Sequence, residues 1–222
     1  MKTLVLCSSP RRNSNSTLLA KEVAVGLEET GHEVILRDLN TFLGGFLGDC
    51  RQCRLADGSC AIKDRYRELF FNDFLPAEGL IVATPIYWYG MSAQLKAFFD
   101  RMFCYVAASH PASEHVLTEI QGKRIGLVLS SEETFPTVSG GIVHQLQEYS
   151  RYTSSTFVGA VHGYGNAGGE VARDPRDPIS AARRFGQKFF TTHATDYRID
   201  TPRSGTMWPK PVSEIERCAS AS

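Results

Sequence analysis

Five short, nearly uninterrupted apolar runs, each followed by a stretch of helical periodicity, constrain this 222-residue chain more than any other feature. The runs occupy residues 2–8, 34–36, 79–84, 124–130 and 156–161. Helices are predicted at 15–30, 64–75, 91–104, 138–151 and 176–192, with Leu18, Leu19, Val23 and Leu27 sharing one face of the first. Leu95, Phe98, Phe99 and Met102 mark the third. Strands apolar on both sides, alternating with helices, belong to a parallel sheet covered on both faces. Five such units predict an α/β doubly wound five-stranded parallel sheet of order 2-1-3-4-5. In that architecture ligands bind beyond the carboxyl ends of the strands, where the winding reverses. The loops to read for function are therefore 8–17, 84–92 and 130–138.

Charge narrows the class of partner. Lys plus Arg and Asp plus Glu both number 24, so no net field draws the chain to nucleic acid or to an anionic membrane. An apolar fraction of 42% and a charged fraction of 22% are those of an ordinary globular protein. No segment reaches transmembrane length, and too few residues precede the Ser8-Ser9-Pro10 break for a secretory core. A cytoplasmic protein is expected, with one domain over 1–192 and a Pro-bearing C-terminal arm over 193–222. That arm, with Pro202, Pro209 and Pro211, is expected to lie on the body or on a neighbouring subunit.

The first loop, Ser8-Ser9-Pro10-Arg11-Arg12-Asn13-Ser14-Asn15-Ser16-Thr17, is dense in hydroxyl and amide side chains. Capping a helix takes one such residue. A run of them beside two arginines, at the positive end of a helix, is chemistry for holding a phosphate. The loop has neither a Gly-Lys-Ser/Thr ending nor G-x-G-x-x-G, so it points to a mononucleotide phosphate gripped without a metal. A cysteine phosphatase would need Cys-x5-Arg, but Asn13 stands where the arginine should follow Cys7. Cys7 reads instead as a small buried residue.

The second loop places Tyr87, Trp88 and Tyr89 in a row where a buried strand ends. Three adjacent aromatics cannot all enter one core, so at least one should face the cleft or a partner subunit. Beside a phosphate site, such a surface suits a planar heteroaromatic ring.

These two stretches together carry a resemblance. Ser9-Pro10-Arg11 through Thr17, followed by Thr84-Pro85-Ile86-Tyr87-Trp88-Tyr89-Gly90-Met91-Ser92-Ala93-Gln94-Leu95-Lys96-Ala97-Phe98-Phe99-Asp100-Arg101, resembles the flavodoxin-like NADPH-dependent FMN reductases, especially the branch that includes the iron–sulfur flavoproteins. Weaker similarity continues through 163–171 and the last helix, so it covers roughly residues 1–190. The resemblance implies a flavodoxin-like fold and FMN as cofactor. Ser9, Arg11, Asn15, Ser16 and Thr17 would hold its phosphate. Pro85, Ile86, Tyr87 and Trp88, with backbone from Tyr89 and Gly90, would line its ring. Ser130, Ser131 and Glu132 would border the ribityl chain or pyrimidine end.

The resemblance further implies an enzyme that takes hydride from NAD(P)H and passes it to a small-molecule acceptor: a quinone, a nitro- or azo-aromatic, free flavin or a metal complex. Ping-pong kinetics and a homodimer or homotetramer go with it. A flavin-bound electron carrier or sensor is the alternative, though the absence of net negative charge weighs toward an enzyme. No catalytic acid or base stands out; His144 and His162 lie near the expected cleft. Arg51 and Arg54 sit in a loop that would meet a 2′-phosphate.

Six cysteines, Cys7, Cys50, Cys53, Cys60, Cys104 and Cys218, read as thiols or metal ligands rather than a disulfide framework. Cys50, Cys53 and Cys60 fall where the iron–sulfur branch carries its cluster ligands. A cubane cluster wants four thiolates. The fourth position is Leu47 or Ala56, and His32 and His110 are remote, so no metal is expected.

Overall fold

All five expected strands form and pair in parallel, in the order β2-β1-β3-β4-β5. The structure, a computed structural model, describes residues 1–49, 54–107 and 109–192. The expected arm at 193–222 lies outside them. β1 (Lys2–Cys7) leads into α1 (Asn15–Glu29), β2 (Glu33–Asp38) and a 3₁₀ turn at Leu39–Thr41. α2 (Tyr66–Glu68) runs on as a π-helical stretch, Leu69–Phe74, before β3 (Gly79–Pro85). α3 (Ala93–Arg101), α4 (Phe103–Val106) and α5 (Ser113–Glu119) precede β4 (Arg124–Ser131). The chain continues with α6 (Gly140–Tyr152), β5 (Thr156–Tyr164), a 3₁₀ turn at Glu170–Arg173 and α7 (Pro178–Lys188). No helix among the described residues is long and apolar enough to cross a membrane.

The period of two along each strand divides the interior into two cores. Leu4, Leu6, Leu80, Val82, Leu127 and Leu129 face Phe70, Phe74, Phe98 and Ile142 on one side. Val5, Cys7, Ile81, Ala83 and Val128 face Leu19, Val23, Leu27 and Phe189 on the other. Burying one such large side chain contributes about 1.5–3 kcal/mol, which is why the central strands tolerate no polar break. β2 sits at the sheet edge and is only partly covered, so its apolar run is short. On the second face α1 and α7 approach closely. A Cβ on Gly26 would collide with the Arg183 carbonyl, and one on Gly186 with that of Val23.

Several elements depart from the sequence reading: α5 (Ser113–Glu119) was not expected, and the last helix, expected over 176–192, spans Pro178–Lys188. The helix expected over 64–75 becomes π-helical after Glu68, which keeps Phe70 and Phe74 inside while Asp73 meets Arg37 at 2.7 Å. The helix expected over 91–104 starts only after its cap, Ser92, and breaks at Met102. β5 extends three residues further than its apolar run, to Tyr164.

Beneath the first core face lies an ion pair. Arg101 and Asp64 are 1% and 8% exposed and pair bidentately, Nη1 to Oδ2 at 2.5 Å and Nη2 to Oδ1 at 2.9 Å. The guanidinium lies 4.3 Å from the centre of the Tyr66 ring, whose hydroxyl donates to the Phe98 carbonyl at 2.7 Å. Gly44 N–H donates to Asp64 Oδ2 at 2.7 Å. Asp64→Ala strands a buried cation, so urea unfolding should show a loss of about 3 kcal/mol or more. A loss below 1 kcal/mol would mean water reaches Arg101.

Candidate functional site

Parallel strands release their following loops at one edge, and buried hydroxyls tie two of those loops together. Ser8, Thr84 and Ser92 are all 0% exposed. Ser8 N–H and Oγ both donate to the Ala83 carbonyl, at 2.9 and 2.8 Å. Ser92 Oγ donates toward the Ser8 carbonyl and hydroxyl at 3.0 and 2.9 Å, and Ser92 N–H donates to Thr84 Oγ1 at 2.9 Å. The same Ser92 hydroxyl caps α3 by accepting from Leu95 N–H. Loop 8–17 is thereby fixed relative to loop 84–92.

The first loop presents donors. Ser14 is the N-cap of α1, its Oγ accepting from Thr17 N–H at 3.0 Å. The N–H groups of Asn15 and Ser16 find no acceptor among the described residues, although both residues are buried. Orphaned N–H groups at the positive end of a fifteen-residue helix form an anion seat. Ser9 Oγ and the Arg11 guanidinium stand beside it, and Arg11 Nη1 donates to the Asn166 carbonyl at 2.8 Å. Backbone N–H, hydroxyl and guanidinium together fit a phosphomonoester.

The side chain of Asn15 does something the sequence did not reveal. Its Nδ2 donates to the carbonyls of Gly165 and Ala167 at 2.8 and 3.0 Å, and its Oδ1 accepts from Val171 N–H at 3.2 Å. It clamps the loop after β5 and offers only its backbone N–H to an anion. Gly168 completes that contact, since a Cβ there would collide with the Asn13 carbonyl.

The second loop presents the aromatics on a strained turn. Tyr87 and Gly90 exchange two backbone hydrogen bonds, at 2.9 and 3.0 Å. Between them Trp88 and Tyr89 have φ of 49° and 61°. Those values define a type I′ turn, normally the place of Asn-Gly. Bulky residues in the left-handed region cost on the order of 1–3 kcal/mol each and cluster at functional sites. Trp88 is 97% exposed, so no core packing offsets this cost.

Between these loops lies a cleft of about 610 Å³. Ser9, Arg11, Asn15, Pro85, Ile86, Tyr87, Trp88, Tyr89, Ser130, Ser131 and Glu132 line it. Of the expected residues, Ser16, Thr17 and Gly90 do not. Ser16 is buried behind Ser14, Thr17 accepts from Ser14 Oγ at 2.7 Å, and Gly90 closes the hairpin base. Ser14 and Glu133, within two of the chosen loops but not singled out, also line the cleft, and sequence reasoning missed Gly165, Asn166 and Gly168 altogether. The signal was the glycine-rich run Gly163-Tyr164-Gly165-Asn166-Ala167-Gly168-Gly169. Reading β5 as ending at 161 placed that run outside the three chosen loops.

Of the two histidines, His144 is exposed on α6 and does not line the cleft. His162 reaches it through Ser131. Ser131 Oγ donates its one proton to the Glu133 carbonyl at 2.7 Å, so at 2.7 Å from His162 Nε2 it accepts. His162 is therefore the Nε2–H tautomer. Burial, helped by the nearby Arg176 cation, pushes its pKa down to about 4. It is a fixed neutral donor at neutral pH.

Cys7 is 3% exposed and burial raises its thiol to about 11, in keeping with a packing role. Cys50, Cys53 and Arg51 lie outside the described residues, as does Cys218. Cys60 is half-buried with Sγ 4.0 Å from Arg101 Nη2. Arg54 donates to Ser109 Oγ at 2.5 Å and to the Cys104 carbonyl at 2.6 Å, so it is turned into the body rather than toward a ligand.

Replacing Trp88-Tyr89 by Asn-Gly should raise stability by about 1–2 kcal/mol in urea unfolding, by relieving the turn, while weakening ligand binding in the cleft. Unchanged stability would show that the hairpin is unstrained. His162 has a folded pKa below its unfolded value of about 6.5, so the folded state binds fewer protons in between. Its contribution is full above pH 6.5 and is lost as pH falls toward 4. The drop in unfolding midpoint across that window should be smaller in His162→Gln, which keeps a donor for Ser131. An equal drop would place the titration elsewhere.

Residues 1–184 match a family model described as flavodoxin-like fold. An iron–sulfur flavoprotein of Methanocaldococcus jannaschii is 34% identical over 106 residues, 46% of this chain but only 51% of that relative, about half its length. An FMN-dependent NADH:quinone oxidoreductase of Burkholderia thailandensis is 23% identical over 205 residues, covering 82% of this chain and 100% of the relative. The solved structure of an NAD(P)H:quinone oxidoreductase from Methanothermobacter marburgensis superposes with a TM-score of 0.62 at 20% identity, covering 87% and 98% of the two chains, and shares the fold. With its strand order, its two-sided core and this match over most of its length, the chain belongs to the flavodoxin-like fold family.

Proposed function

We propose that the protein is an FMN-dependent NAD(P)H oxidoreductase whose final acceptor is a small planar molecule such as a quinone or a nitro- or azo-aromatic. One observation carries this reading: a single cleft has unpaired helix N–H groups at one end and a strained, exposed aromatic hairpin at the other. The names of the relatives, an iron–sulfur flavoprotein and an FMN-dependent NADH:quinone oxidoreductase, support it.

When bound, FMN supplies the capacity to take a hydride from one molecule and give it to another. The chain's own work is binding, orientation and exclusion of water. Ser9, Arg11 and the N–H groups of Asn15 and Ser16 hold the phosphate, with Thr17 supporting Ser14 from behind. Pro85, Ile86, Tyr87 and Trp88, with the backbone of Tyr89, would bound the flat ring, and Gly90 closes the turn that presents them. Ser131 and Glu132 meet its polar edge, and His162 keeps Ser131 in place without exchanging protons itself. The zero net charge supports a small-molecule acceptor over a protein partner. A homodimer or homotetramer would cover the indole of Trp88, which otherwise stands in solvent.

Titrating FMN into purified protein should give saturable uptake at micromolar concentration, and anaerobic NADPH should bleach the flavin's visible bands. Steady-state plots against a quinone should be parallel. Arg11→Ala should weaken FMN binding by about tenfold or more, the size of one lost charge-assisted contact. No uptake of FMN by folded protein, or intersecting plots without bleaching, would overturn the reading.

A further inference from the structure

A second cleft of about 670 Å³ adjoins the first and shares Glu132, Gly165 and Asn166 with it. Nothing in the flavin reading occupies this space. Its wall is unusually fixed. The Arg176 guanidinium carbon lies 3.2 Å from the centre of the Tyr164 ring, over its face. Asp174 holds one edge of it in a bidentate fork, accepting from Nη2 at 2.7 Å and Nε at 3.1 Å. The Asp174 side chain is only 1% exposed and also accepts from the N–H groups of Tyr164 and Arg176. Arg176 further donates to the His162 carbonyl at 3.2 Å. A guanidinium pinned on one face by a ring leaves its other face as a planar cationic surface, which suits a purine.

Beside that surface stands Arg173, 78% exposed, whose guanidinium pairs with Glu170 at 3.4 Å. Glu170 is itself committed: its Oε2 accepts from the N–H groups of Asn166 and Ala167, both at 2.9 Å. The Asp174 carboxylate is thus paired with Arg176 within the wall, while Glu170 stays charged, held by two N–H groups and by its 3.4 Å contact with Arg173, whose largely exposed guanidinium keeps further N–H groups for an anion. Glu132, at the border of the two clefts, is an exposed acceptor of the kind that takes sugar hydroxyls.

Resting on the oxidoreductase reading above, we infer that the second cleft seats the adenosine 2′-phosphate half of NADPH. Adenine lies against the Arg176 guanidinium held over Tyr164 and the 2′-phosphate meets Arg173, while Glu132, on the partition between the clefts, has one carboxylate oxygen for the flavin side and one for ribose hydroxyls. Arg173 is then the residue that discriminates NADPH from NADH, because only the former carries the dianion it pairs with.

The test is calorimetric titration of FMN-supplemented protein with adenosine 2′,5′-bisphosphate and with 5′-AMP. The bisphosphate should bind about tenfold or more tightly than 5′-AMP, the increment of a charge-assisted phosphate contact. Arg173→Glu should abolish that difference and Arg173→Lys should retain part of it. In steady state, the ratio of KM for NADPH to KM for NADH should rise by about tenfold in Arg173→Glu. Equal binding of the bisphosphate by wild type and Arg173→Glu, or an unchanged KM ratio, would overturn the assignment. Failure of both nucleotides to reduce the flavin would instead remove the oxidoreductase reading, and the calorimetric comparison would still decide the subsite.

Discussion

The hydroxyl of Ser92 holds the working edge of this protein together. It is buried, it begins α3, and it reaches back to both the carbonyl and the hydroxyl of Ser8, more than eighty residues earlier in the chain. Parallel topology alone puts the strand ends at one edge but leaves their loops free to splay. The Ser8–Thr84–Ser92 cluster removes that freedom, because unpaired hydroxyls at these buried positions would each cost about 1–3 kcal/mol. The distance between the anion seat on α1 and the aromatic hairpin after β3 is therefore a property of the core rather than of the loops. A site built in this way is ready before its ligand arrives.

What could be read from the sequence followed from which interactions are local. β3 was legible because Gly79–Pro85 is buried on both faces and every residue in it says so. The cap of α1 was legible because helix N-termini need few and recognisable side chains. The double duty of Asn15 was not, since its partners, Gly165, Ala167 and Val171, lie some 150 residues away and are set by strand order. The Arg101–Asp64 pair was hidden for the same reason: the sequence places Arg101 near the end of one expected helix and Asp64 at the start of another, with nothing to bring them together. The π-helical turn at Leu69–Phe74 arises from tertiary demand, two phenylalanines kept inside and one aspartate turned to Arg37, which propensity does not encode.

The two loop types solve different problems with different physics. The α1 end presents the backbone itself, a feature that belongs to the helix and survives most side-chain changes. The hairpin after β3 uses side chains held in an unfavourable backbone region, where almost every substitution would relax the turn.

Asn15 has a wider consequence. Its backbone faces the anion seat while its side chain grips the loop whose Gly165 and Asn166 form the wall between the two clefts. Any occupant that steadies the start of α1 also steadies that partition, and an occupant of the neighbouring space steadies Asn15 in return. Thermodynamic reciprocity then requires each guest to alter the other's affinity by one common factor. A single amide side chain makes the two chambers one linked system.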